Sequence, residues 1–200
     1  MASPQKHDWP TWAAAILVLC AARLWLLPEA FRFLSAPNTM WRVLYQLTVL
    51  ALAVVLFVSA KLPHAVLAGA FGFAGLMFAV QQSSSVAALF TADAITPLYF
   101  LTIILATVPT MALYLLCSLF VLQKVPARAA AAAAIATFFC SFAAVLMMLA
   151  ASAAGSVFVF GRLLVQVLPG SLPGLLLPVG LVVWLAGWQR KKPSLHPMPR

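Results

Sequence analysis

Six long apolar runs dominate this sequence and limit its folds more than any other feature. They cover residues 9–27, 41–60, 64–80, 98–122, 129–151 and 171–188, each 17 to 25 residues long. At a rise of about 1.5 Å per residue, roughly 20 apolar residues in a helix cross the ~30 Å hydrocarbon core of a bilayer. Inside lipid the backbone must satisfy its own hydrogen bonds, so only helices or a closed barrel are viable. Barrel strands alternate in polarity over about ten residues, and these runs do not alternate. The expected fold is all-α: a polytopic integral membrane helix bundle of about six transmembrane helices, with the lipid bilayer as its surroundings. A cytoplasmic tail is expected at 1–8, a single bundle at 9–188 and a basic cytoplasmic tail at 189–200.

Composition agrees with this reading. Hydrophobic residues make up 65% of the 200-residue chain, charged residues 8%, and the mean hydropathy is +1.08. Soluble domains carry about 25% charge and roughly 45–50% apolar residues, so a soluble enzyme, a secreted disulfide scaffold and a disordered tail are all excluded. The net charge of +9 comes from twelve Lys and Arg against three acids. Nucleic-acid binding is not expected, because no basic patch is interleaved with aromatics. The basic residues instead read as topology signals. With six spans, Lys6, Lys61, Lys124, Arg128, Arg190, Lys191, Lys192 and Arg200 share one side, and Arg23, Arg32, Arg42 and Arg162 the other. Cytoplasmic loops collect Lys and Arg, which puts both termini in the cytoplasm; a bacterial inner membrane is the expected location. Lys6 precedes the first run, but no small-x-small cleavage site separates that run from Arg23, so a retained span rather than a cleaved signal peptide is expected.

Aromatic residues mark the expected boundaries. Trp9, Trp12, Trp25, Trp41, Trp184 and Trp188 lie near run ends, where amphipathic rings favour the membrane interface. Arg23 reads either as a snorkelling anchor or as a buried cation for an anionic lipid or substrate. Pro37-Asn38 reads as a turn before the second span. The last run holds Pro173, Gly174, Pro178, Gly180 and Gly187; it either spans with an irregular start and a kink or re-enters. Residues 155–169 read as an interfacial amphipathic helix, with Arg162 and Gln166 on one face.

Chemistry-bearing residues are few. Cys20, Cys117 and Cys140 are separate and lie in apolar runs, where a lone cysteine acts as a small hydrophobe. His7, His64 and His196 sit at run ends or in tails, so no haem, metal or other cofactor is expected. Asp8, Glu29 and Asp93 are too scattered for a carboxylate pair, and the chain holds no zinc, phosphate-loop or nucleophile-elbow motif. No catalytic residue is expected and the protein reads as a non-enzyme.

The most polar stretch is Gln81, Gln82, Ser83, Ser84 and Ser85, followed by Thr91 and Asp93. Gln81–Ser85 could extend the short third span inside the bundle; otherwise the stretch reads as a solvated connector or as the polar mouth of a cavity with Asp93 as its acid. Gln81, Gln82, Ser84, Asp93 and Arg162 are the candidate binding residues. In the fourth run, Thr107, Pro109 and Thr110 form an expected kink with hydroxyls nearby, because proline frees a carbonyl one turn earlier. Gly69, Gly72 and Gly75 lie on small-xxx-small patterns that let helices approach closely. They serve either to pack the third helix on the Ala-rich fifth or to dock another subunit. Two functions follow as expectations: a non-catalytic subunit or assembly factor of a larger membrane complex, with membrane-protein partner subunits, or a small permease or channel-like transporter for a neutral or apolar solute.

Overall fold

Each apolar run forms a helix. The computed structural model describes residues 9–26, 37–91, 97–152, 161 and 175–188. Among them the helices are α1 (Trp9–Leu26), α2 (Pro37–Phe57), α3 (His64–Thr91), α4 (Pro97–Val121), α5 (Ala127–Ser152) and α6 (Leu175–Trp188), and there is no strand. Stretches of α3, α4 and α5 (His64–Ser83, Phe100–Val121 and Ala127–Ala151) are each long and apolar enough to cross a membrane. The chain is an all-helical bundle with the helices of an integral membrane protein.

The exterior of the bundle is as apolar as its interior. Trp12 is 65% exposed and Phe139 62%, and Leu19, Val54, Leu76, Val108 and Leu115 also point outward. Water-soluble monomers rarely expose contiguous apolar patches beyond a few hundred Å². Helices that are apolar all round belong in a core or in lipid.

Consecutive helices pack as antiparallel neighbours, α1 on α2, α2 on α3, α3 on α4 and α4 on α5. The α2–α3 connection is tight, with a 3-10 turn at Ser59–Lys61 and Pro63 just before α3. The α4–α5 connection closes α4 with two bonds, Lys124 N–H to the Leu119 carbonyl and Gln123 N–H to the Phe120 carbonyl, both 2.9 Å. This is the Schellman pattern, with Gln123 in the left-handed position (φ 60°) that glycine usually holds.

Two boundaries and one packing partner differ from the sequence reading. α2 begins at Pro37 instead of turning there, because proline's fixed φ and missing N–H suit the first helical position. α3 runs beyond Val80 to Thr91, so Gln81–Ser85 extends the third span and is not a connector. Ser83 supports this by donating its hydroxyl to the Val80 carbonyl at 2.6 Å. α3 also packs on α2 and α4 rather than on α5, since α4 lies between them in the antiparallel order. The interfacial helix expected at 155–169 lies outside the described residues apart from Gly161, which is helical.

The sixth run becomes the most enclosed element. α6, roughly 21 Å long at about 1.5 Å per residue, lies antiparallel to α1. Gly180 rests on Ile16 and Leu17, and Gly187 rests on Trp9. Trp184 is only 1% exposed and donates its indole N–H to the Ser59 hydroxyl at 3.3 Å. Its ring meets Phe71 (5.2 Å between centroids), Phe120 (6.3 Å) and Trp188 (5.3 Å), and Trp188 meets His64 edge-on at 6.0 Å. Trp184 is therefore not the interfacial anchor expected from its place near a run end: its ring packs among Phe71, Phe120 and Trp188 and has no lipid to face. Pro178 is helical and buried within α6.

Candidate functional site

The two halves of the bundle differ. One half holds the aromatic cluster around Trp184, at the end that carries Lys61 and Lys124. The other half holds a half-open cavity of about 280 Å³. Every helix contributes to its wall: Cys20 from α1, Val49 from α2, Phe78 from α3, Ala106 from α4, Ala144 from α5 and Leu177 from α6.

Polar groups punctuate this apolar wall. Gln81 and Gln82 line it from α3, Gln46 from α2 and Ser141 from α5. Thr102 and Thr110 line it from α4; each hydroxyl donates to a carbonyl of its own helix, Leu98 and Ala106 respectively, at 2.8 Å. That back-bonding satisfies the proton within the helix and leaves the oxygen able to accept. Among the described residues, no charged side chain lines the cavity. Its volume lies near the lower end of the roughly 300–1,000 Å³ typical of small-molecule sites.

The floor is aromatic. Tyr45 and Tyr114 share a hydroxyl–hydroxyl hydrogen bond of 2.9 Å. Tyr45 is 8% exposed and lines the cavity, whereas Tyr114 is 1% exposed and lies behind it. Phe78 packs between them, with centroids 5.3 Å from Tyr45 and 6.4 Å from Tyr114. Gly75 makes room for Tyr114: a Cβ at that glycine would lie 3.1 Å from the tyrosine Cβ.

The chain matches no family model, no curated protein and no solved structure.

The residues singled out from sequence divide as follows. Gln81 and Gln82 reach the cavity. Ser84 belongs to α3 two residues on. Asp93 and Arg162 lie outside the described residues. Of the small-residue set, Gly75 packs inward on Tyr114, while Gly69 and Gly72 are exposed with open space around them. Thr110 faces the cavity. Thr107 does not line it, and its buried hydroxyl has no hydrogen-bond partner among the described residues. Pro109 lies inside an unbroken α4, and its carbonyl accepts the Thr137 hydroxyl from α5 at 2.9 Å. No group of three His, Cys, Asp or Glu side chains converges among the described residues to hold a metal.

Sequence reasoning missed Tyr45, Gln46, Tyr114 and Ser141. Gln46 was findable, because an amide in the middle of an apolar run must face protein or water rather than lipid. The tyrosines carried no such signal, since a Tyr ring suits an interface or a core equally well.

Proposed function

We propose that this is a non-enzymatic integral membrane protein whose interior receives a small uncharged solute, in the manner of a permease or channel-like protein. One observation carries the reading: a cavity lined by all six helices, with amides and hydroxyls among its wall groups and no charge among the described residues. Buried polar groups in a membrane helix need partners, and a cavity that presents several of them is suited to a solute that hydrogen-bonds without carrying charge. The aromatic cluster around Trp184 occupies the other half of the bundle, so release toward that end requires the cluster to part. Lys61 and Lys124 lie at the clustered end, which the positive-inside rule assigns to the cytoplasm. The cavity then opens toward the outer half of what we take to be a bacterial inner membrane.

Reconstitution into phosphatidylcholine vesicles tests this directly. Swelling in glycerol or urea gradients should exceed that of empty vesicles, and acetate should give no gain. Gln82→Leu removes an amide from the wall and should slow the neutral flux several-fold. Swelling no faster than in empty vesicles would remove the reading.

A second reading rests on a different observation. On the exposed side of α3, Gly69 and Gly72 leave open space where a partner helix can approach closely. This favours a subunit of a larger membrane complex. A stoichiometric partner should then co-purify from native membranes in mild detergent and be lost in Gly72→Leu; purification without one counts against it.

A further inference from the structure

The hydrogen bond between Tyr45 and Tyr114 has a direction, and the surroundings of the two hydroxyls determine it. Each phenol carries one proton, and the pair shares one bond. One proton is therefore left over. Were Tyr45 the donor, the Tyr114 proton would be stranded: that ring is almost completely buried, lies behind the cavity wall and has no other hydrogen bond among the described residues. A buried donor without an acceptor bears its full desolvation penalty. With Tyr114 as donor, the remaining proton belongs to Tyr45, which lines the cavity.

We infer that the Tyr45 hydroxyl is the donor at the base of the cavity and binds a carbonyl or hydroxyl oxygen of a small neutral solute, an amide or a polyol. Tyr114 is a positioning residue that holds the Tyr45 oxygen as acceptor and so turns its proton to the solute. Other wall groups complement this donor. Thr102 and Thr110 have given their protons to their own helix and present acceptor oxygens. Gln46 and Gln82 supply both kinds of group. A solute with one acceptor oxygen and N–H or O–H groups beside it satisfies both kinds. A carboxylate or an ammonium would meet no opposite charge among the described wall residues to offset its desolvation. The inference rests on the solute-binding reading above and names the chemistry of that same site.

The test measures binding of urea and of glycerol to the full-length protein in phosphatidylcholine nanodiscs by saturation-transfer NMR, with acetate and methylammonium as charged controls. Wild type should bind at least one neutral probe and neither ion. Binding of urea alone assigns an amide, and of glycerol alone a polyol. Tyr45→Phe should weaken binding about tenfold, the upper range for one lost hydrogen bond. Tyr114→Phe keeps the cavity donor and should weaken it about twofold. If wild type binds neither neutral probe, the solute-binding reading fails and this inference with it. If wild type binds but Tyr45→Phe binds equally well, the inference alone fails. Equal or greater loss in Tyr114→Phe overturns the direction of the bond, and binding of either ion at similar strength overturns the solute class.

Discussion

Trp184 and Ser59 show how single residues tie the sixth helix to the rest of the bundle. The indole N–H of Trp184 has the Ser59 hydroxyl as its acceptor, in a site that is closed to water. Ser59 itself lies in the 3-10 turn between α2 and α3, so one bond joins α6 to a connection distant in sequence. Ser59→Ala leaves that N–H without its partner and should destabilise the protein by about 1–3 kcal/mol, read as a lower melting temperature in detergent. Hydroxyls elsewhere are satisfied more locally. Thr48 donates to the Leu44 carbonyl at 2.8 Å and Thr137 to the Ala133 carbonyl at 2.7 Å, which lets a polar side chain sit in an apolar helix. Two hydroxyls also join helices: Ser118 donates to the Ala68 carbonyl of α3 at 3.0 Å, and Thr137 shares its proton with the Pro109 carbonyl of α4 at 2.9 Å. Such bonds were not legible from residue type, because the same Ser or Thr can serve its own turn or a neighbouring helix.

At the scale of the helix, glycines show where close packing occurs. Small-residue spacing in α3 drew attention to Gly69, Gly72 and Gly75, yet only Gly75 is in tight contact. The closest approach is instead between α1 and α6, where Gly180 and Gly187 stand two turns apart on one face. A Cβ at Gly187 would collide with Trp9. Gly187→Ala should therefore cost about 1–3 kcal/mol through overpacking. Gly72→Ala meets open space and should be neutral or gain up to about 1 kcal/mol of helix propensity. Thermal unfolding of the two variants side by side checks the contrast; equal stability would show that α1 does not press on α6. The sequence carried the glycines of the sixth run but not their partner. Pairing of the first and last helices depends on how the intervening four are arranged.

For the whole molecule, the two ends of the bundle are chemically distinct. The α2–α3 and α4–α5 connections, with Lys61 and Lys124, lie at the end where Trp184 and Trp188 gather. Single cysteines replacing Lys61 and Lys124 in a background lacking Cys20, Cys117 and Cys140 should react with an impermeant maleimide from the same side of sealed vesicles. By the positive-inside rule that side is the cytoplasmic one. Labelling from opposite sides would contradict the antiparallel order of α3 and α4. The apolar exterior predicts in addition that the protein stays dispersed only in detergent or lipid, since Phe139, Leu115 and Val54 have no protein to cover them.

Length and hydropathy alone determined the number, type and approximate limits of the helices. A run of about twenty apolar residues has one stable backbone form in lipid, whatever surrounds it. The same uniform hydropathy hid the rest. A helix that is apolar all round does not mark the face that turns inward, so the enclosed position of α6, the burial of Trp184 and the Tyr45–Tyr114 pair had no sequence signature. Gln81 and Gln82 were legible because amides avoid lipid; that they meet Gln46, Thr102 and Ser141 around one cavity was not. Those choices rest on how side-chain volumes fit between helices, a property of pairs of surfaces that arises only when the helices are brought together.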